Sequence, residues 1–303
     1  MSNGRPQCAL ASCQESICAG TAEVLYHLSK FDVRKCADCG IVFRDPFPDE
    51  DELRQIYEDP AYHASTYFAG DPSGKAGPEE RLQEIVLNRL HDLLPRGERP
   101  RLLDVGCGSG RFLERARRHG FEVAGVEFSE ALATRVRSEL GIDVIRGEFT
   151  STEIDRGPFH VVSMWDLLEH TLDPVAALLR ARALLADGGL LLVLTIDYSS
   201  LFNVFADALW RISAGNFKRP LELLYDRRHN YYFDRRTLDR LLRAADFEVV
   251  ERRSYRAHLG RWLADPPGPV MLAAGEVVDA LSVVTGRLYR QLLLCRPHQG
   301  GRT

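Results

Sequence analysis

The chain has 303 residues, 45% of them hydrophobic and 27% charged, with a formal net charge of -4. That is enough for one large domain with a fully buried sheet plus appendages, and it offers no broad attraction to nucleic acid. The longest apolar run, Leu190 to Ile196, falls far short of the roughly 20 residues of a membrane span, and the opening MSNGRPQCALASC lacks the apolar centre of a secretory signal, so the cytoplasm is the expected compartment.

Five of the seven cysteines fall within the first 39 residues, and in a reducing compartment such clustering reads as metal before disulfide. KCADCG has the form of a zinc knuckle, in which C-x-x-C followed by glycine turns two thiolates towards one metal. The second pair is ambiguous, because Cys8/Cys13 and Cys13/Cys18 share one spacing. Cys8, Cys13, Cys36 and Cys39 are the expected ligands, with Cys18 as a substitute for Cys8. Residues 1–45 are therefore expected to form a small zinc-ribbon-like module, since so few large apolar residues could hardly fold unaided. Reduced thiols without metal are the alternative. A connecting helix and the Gly/Pro/Ser linker DPSGKAGP complete residues 46–78.

From residue 79 onwards the pattern is that of a single domain. EERLQEIVLNRLHDLLP puts Leu82, Ile85, Val86, Leu90, Leu93 and Leu94 on one helical stripe. RLLDVGCGSG follows: a short apolar strand ends in Gly106, Gly108 and Gly110, and RFLERARRHG opens as a helix. Glycines so placed allow φ > 0 and let a ligand approach the main chain. The turn lacks the Gly-Lys-Ser/Thr of a phosphate loop. Its third glycine comes one residue too early for the dinucleotide fingerprint, although a nicotinamide-binding domain remains the competing reading. A second strand, EVAGVE, ends at Glu127, about 20 residues on, where a ribose-binding carboxylate belongs.

Glycine turn and acidic strand end together resemble the S-adenosylmethionine (SAM) site of class I methyltransferases, whose first motif reads LDVGCGxG. The resemblance implies an α/β, Rossmann-like sheet of seven strands with the last antiparallel. It implies cofactor contacts from Asp104, Gly106, Cys107, Gly108, Gly110, Glu127, Phe128, Glu148, Phe149 and Asp166. Glu148 would take the adenine amino group, and Phe149 would pack on the ring. The opening KCADCGIVFRDPFPDEDELRQIYEDPAYHASTYF is similar to that of bacterial zinc-ribbon methyltransferases of natural-product, deoxysugar and surface-glycan pathways, in which the zinc is structural or shapes the substrate pocket.

The remaining elements fit that fold. A helix over residues 129–140 stops at Gly141, and IDVIRGEF forms a third strand. FHVVSMW is a fourth strand that can be buried on both faces. Asp173 and Pro174 then supply the N-cap and first position of a helix, which leads to a fifth strand, LLLVLTI. Five strand-helix repeats make a parallel sheet with ligands at the carboxyl ends of its strands, where Gly106, Glu127, Glu148, Asp166 and Asp197 lie.

Asp166, Glu169 and His170 resemble the D/E-x-x-E-H segment of UbiG-like O-methyltransferases, for which a divalent cation has been proposed. A hard cation prefers more oxygen ligands, so magnesium is not expected, and His170 would line the methionine end of the cofactor. An insertion over residues 198–232 is expected to be a substrate lid, with Leu201, Phe202, Phe205, Leu209 and Trp210 covering the site. RHNYYFDRRTLDRLLRAADFEVV resembles the family signature His-x-x-Tyr-Phe-Ser, with Asp234 in place of the N-cap Ser and Asp246 in place of a glycine. His229 is the candidate general base, because imidazole titrates near neutrality, and Tyr232 could orient the acceptor. FEVVERRSY and RLYRQLLLCRP are the last two strands. The helix between them is read as a packing helix or a homodimer surface.

The expected function is methyl transfer from SAM to oxygen or carbon of a small molecule, such as a sugar or secondary-metabolite intermediate. An RNA methyltransferase with a zinc module would need a basic face, which the charge does not provide. A non-catalytic SAM-binding module is the other alternative.

Overall fold

A computed structural model describes residues 20–58, 77–95, 97, 99–256 and 268–298. Cys8, Cys13 and Cys18, most of the linker 71–78 and the tail beyond His298 lie outside them.

Two sheets make up the fold. The larger has seven strands: β4 (Arg101–Val105), β5 (Glu122–Glu127), β6 (Asp143–Arg146), β7 (Phe159–Trp165), β8 (Leu185–Ile196), β10 (Phe247–Tyr255) and β11 (Arg290–Pro297), in the order β10-β11-β8-β7-β4-β5-β6. β4 to β8 run parallel, whereas β11 lies antiparallel between β8 and β10. This is the seven-stranded class I methyltransferase arrangement expected from the sequence.

Its centre reads as a continuous apolar run because both faces are covered. Leu102, Leu103, Val161, Val162 and Leu190 through Leu194 are all completely buried. Each such side chain contributes about 1.5–3 kcal/mol on leaving water. One face carries α2 (Pro78–Leu93), α3 (Arg111–Arg118) and α4 (Glu130–Arg135, continuing as a π-turn to Leu140). The other carries α5 (Pro174–Leu184) and α8 (Arg235–Ala244). Asp173 caps α5 as expected, its Oδ1 accepting from the amides of Val175 and Ala176 at 3.1 and 2.9 Å. α8 starts with a reciprocal box between Asp234 and Thr237, and Asp246 adopts φ +58 where the family signature has glycine.

Two sequence expectations need correction. Helical spacing puts Ile85 on the buried stripe of α2, yet it is 51% exposed, while Leu82, Val86 and Leu90 carry the packing. The same reading puts Phe205 on the covering face of the lid helix α6 (Leu201–Ile212), but it points outwards at 45% exposure while Phe202 and Ala206 turn inwards. Apolar residues are dense all around α6, so periodicity alone gives its buried face poorly.

The smaller sheet joins β1 (Ala22–His27), β2 (Asp32–Cys36) and β3 (Val42–Asp45) to β9 (Tyr231–Tyr232), with α1 (Glu50–Glu58) following β3. β9 pairs Tyr232 with Val42 and Tyr231 with Phe43. The N-terminal strands and the end of the lid therefore form one sheet, rather than a module set apart from the domain that follows. Arg44, 3% exposed, reinforces the junction by donating to the Arg227 carbonyl and stacking 4.9 Å from the centre of the Phe31 ring. α7 (Arg219–Leu224) completes the lid. α9 (Pro269–Thr285) packs on α6 through Val278 and leaves Val270 and Val284 each 83% exposed. No helix among the described residues is long and apolar enough to cross a membrane.

Candidate functional site

The carboxyl ends of β4 and β5 meet at the glycine turn. Gly106, Gly108 and Gly110 have φ of +70, +53 and +75. A Cβ on Gly106 would stand 2.8 Å from Leu167 Cδ1, and one on Gly110 would stand 2.9 Å from both methyls of Val136. Glycine is thus demanded by backbone and by packing at once. The amides of Gly106 and Cys107 donate to the Val126 carbonyl at 2.8 and 3.1 Å, which ties the turn to the tip of β5. Glu127 completes the tie: its Oε2 accepts from the Gly108 amide at 2.8 Å and its Oε1 from the Ser129 amide at 2.9 Å. The two halves of the expected ligand site are therefore one hydrogen-bonded unit.

Beneath it, Asp104 is 2% exposed and accepts from Ser163 Oγ at 2.7 Å. Burial pushes its carboxyl up to about 7, Ser163 opposing and Glu127 adding to the rise. Cys107 is buried beside it, and burial raises its thiol well above the usual range. Phe128 stands half-exposed at the opening, edge-on to Tyr57 of α1 at 5.7 Å. At the tip of β6, Glu148 is exposed and accepts from Thr150 Oγ1 at 2.6 Å and the Ser151 amide at 3.0 Å. Phe149 is turned into the core, 6% exposed, with Arg180 lying 5.6 Å from its ring centre.

The exit of β7 forms the other wall. Asp166 takes φ +46 and is ion-paired with Arg290 of β11, which also holds Glu79 of α2 at 2.8 Å. Burial pulls the Arg290 guanidinium down, but Asp166 and Glu79 more than offset this and hold its proton firmly. Leu167, the next residue, is the one that meets Gly106. Glu169 and His170 follow in a single 3-10 turn.

The lid brings a third group here. The Asn230 amide donates to the Glu169 carbonyl at 2.8 Å, and its Nδ2 donates to the His170 carbonyl at 2.7 Å. This stitches the 229–232 segment against the β7 exit. His229 consequently lies edge-on to His170 with ring centres 4.7 Å apart. One ligand-type atom from each of Glu169, His170 and His229 lies within 4.8 Å of the others. His170 Nδ1 is bonded to the Arg228 carbonyl at 2.8 Å. Burial lowers His170 to about 4 and, with His170 as neighbour, lowers His229 to about 3. Glu169 is 1% exposed, and burial with the adjacent Asp166 charge raises it to about 8.

His229 and His170 are therefore brought together, but without Asp166. Asp166 is committed to Arg290, so the Asp-Glu-His trio of the resemblance does not assemble, and a hard cation would find one oxygen and two nitrogens instead. Tyr232 is 3% exposed and donates to the Asp226 carbonyl at 3.2 Å, which makes it part of the core behind His229. Sequence reasoning missed Arg290, Glu79 and Asn230.

Comparison with known proteins agrees with this geometry. A family model described as a methyltransferase domain matches residues 79–252. Curated relatives include a ubiquinone biosynthesis O-methyltransferase of Alkalilimnicola ehrlichii, 30% identical over 142 residues, covering 45% of this chain and 58% of that protein. Another of the same description, from Caulobacter sp., is 33% identical over 144 residues, 42% and 57% of the two chains. The match thus spans somewhat over half the length of these relatives. Among solved structures, that of the cyclase SpnF superposes with a TM-score of 0.56 at 17% identity, covering 84% of this chain and 99% of that one. That of magnesium protoporphyrin IX methyltransferase from Synechocystis PCC 6803, with bound SAH, gives 0.53 at 14% identity, covering 82% and 99%. At such identities the likeness concerns the fold.

Proposed function

This chain belongs to the methyltransferase-domain family, and on that footing we propose that it transfers a methyl group from SAM to a hydroxyl or carbon centre of a small-molecule acceptor, a sugar or other secondary-metabolite intermediate. The observation that carries the reading is the unit formed by Gly106, Gly108, Gly110 and Glu127, in which a carboxylate at the tip of β5 is hydrogen-bonded into a turn of left-handed glycines at the tip of β4. The donor set fits the cosubstrate. Glu127 would take the ribose hydroxyls, the glycine backbone would lie along the methionine end, and Glu148 would receive the adenine amino group. Its sulfonium supplies the methyl group. The chain's task is then to align the acceptor and keep water out. The Glu169-His170-His229 cluster, closed off by Asn230 and the lid, suits the acceptor side. The description of the curated relatives as O-methyltransferases supports oxygen as the acceptor atom.

The N-terminal module would carry structural zinc. Cys36 ends β2, the Cys39 amide points at Cys36 Sγ at 3.5 Å, and Gly40 turns with φ +77, which fits a thiolate knuckle. Cys13 with Cys8, or with Cys18 in place of Cys8, would complete the set. Calorimetry with SAM and SAH on the purified chain tests the main reading. Micromolar binding of both is expected, and neither binding while a nicotinamide nucleotide does would overturn it. About one zinc per chain is expected by elemental analysis, and less than half an equivalent would remove the metal.

A further inference from the structure

Among the described residues, five buried polar atoms at the acceptor end have no hydrogen-bond partner: both carboxyl oxygens of Glu169, Thr195 Oγ1, His229 Nδ1 and Asn230 Oδ1. They come from the β7 exit, the end of β8 and the lid. An unsatisfied buried polar group costs about 1–3 kcal/mol, so a cluster of them marks a place where something else is meant to bind. His170 stands in the same cluster with Nδ1 already given to the Arg228 carbonyl, which leaves only Nε2 for an occupant.

The groups facing Glu169 decide what it can do. Asp166 stands beside it but is neutralised by Arg290 from β11. Tyr289 and Thr195 are close but uncharged, and the Thr195 hydroxyl eases the Glu169 carboxylate without reaching full hydrogen-bond geometry. His170 and His229 press on one another, with Arg228 and Asp226 behind them forming their own ion pair. No cation among the described residues offers Glu169 a direct ion pair, although the Arg290 charge eases it from behind Asp166. Both imidazoles are held neutral.

We propose that Glu169 is the catalytic base: its carboxylate takes the proton of the acceptor hydroxyl, while His229 offers a ring N–H to the same oxygen. The proposal rests on the methyltransferase reading of the site. As the acceptor oxygen bonds to the methyl carbon, the bond from that carbon to sulfur breaks with its electron pair left on sulfur, and the hydroxyl proton passes to Glu169. A cation and a carboxylate become a neutral thioether and a neutral acid, a change that a dry site favours. A buried carboxyl is the strongest base in the cluster, since burial raises acids and lowers imidazoles. Leu167 touching Gly106 puts this turn next to the cosubstrate end of the site.

The charge balance has a consequence that can be read without turnover. In the free protein near pH 7, Glu169 holds its proton, and binding of the sulfonium expels it. SAH, which lacks that charge, does not. Calorimetry of SAM and SAH binding at pH 7 in phosphate and in Tris counts the protons. Close to one more proton is expected to be released with SAM than with SAH, and equal counts overturn the proposal. E169Q is expected to bind SAM without the extra release and to lose turnover by about 10²–10⁴-fold. H229Q should keep the release and lose less turnover. If E169Q does not fold, the wild-type proton counts and E169D decide, E169D keeping the release. E169Q with normal turnover, or about one divalent ion per chain that only E169Q loses, would overturn the proposal. Absence of SAM binding would instead remove the methyltransferase reading.

Discussion

At the scale of single residues, the tip of β4 tolerates little change. Gly110→Ala would meet Val136 and Leu140 and impose φ +75 on an alanine, so a loss of about 1–3 kcal/mol is expected, seen as a lower midpoint in thermal unfolding. Glu127→Ala removes the acceptor of the Gly108 and Ser129 amides and, on the proposed function, that of the ribose. SAM affinity should fall at least tenfold while the fold persists by circular dichroism. Asp104 gives a pH dependence with a definite sign. Its folded value of about 7 lies above that of an exposed aspartate, so the folded chain binds more protons than the unfolded one between the two values. Its contribution to stability therefore declines as pH rises from about 4 through about 7, and Asp104→Asn should flatten that part of the denaturation profile. These positions were legible in the sequence because glycine spacing and an acidic strand end are local signals. The state of Glu169 was not. Its sequence neighbours resemble a segment proposed elsewhere to hold a cation, with magnesium not expected here, and only the tertiary arrangement, with Asp166 paired to Arg290 and His229 brought in by Asn230, shows how Glu169 is buried.

Among the elements, the buried Arg290 links three that are far apart in the chain: α2 through Glu79, the β7 exit through Asp166, and β11 itself. Removing the arginine strands two carboxylates, and breaking such a pair commonly costs about 3–5 kcal/mol. Arg290→Met should therefore unfold at markedly lower denaturant. Equilibrium unfolding in denaturant would show the shift. The parallel core of the large sheet followed from strand-helix alternation and the apolar runs of β7 and β8, whereas its antiparallel seventh strand came from the family resemblance alone. What periodicity could not supply was contact at a distance: a charged residue at the start of the β11 pattern carries no mark of its partners. Likewise, the outward turn of Phe205 and Ile85 depends on which neighbours arrive, and hydrophobic spacing is silent about that.

For the molecule as a whole, the shared sheet is the decisive feature. Val42 and Phe43 pair with Tyr232 and Tyr231, and Arg44 reaches the Arg227 carbonyl. A chain lacking residues 1–45 would expose Tyr231, Tyr232 and the underside of the lid. It should be recovered mostly aggregated, and any soluble fraction should have lost SAM turnover although its glycine turn is intact. Gel filtration and turnover on the same preparation would check this. Wild-type turnover in the shortened chain would show that the N-terminal strands are dispensable.

Synthesis runs from the N-terminus, so the outer edge of β3 leaves the ribosome long before Tyr231 and Tyr232 exist to cover it. Through most of translation this protein carries a bare strand margin of the kind that invites pairing between nascent chains. Ribosome-arrested chains ending near residue 210 should bind a holdase chaperone and lose the 22–45 segment to protease. Chains that have extruded residue 250 should protect it.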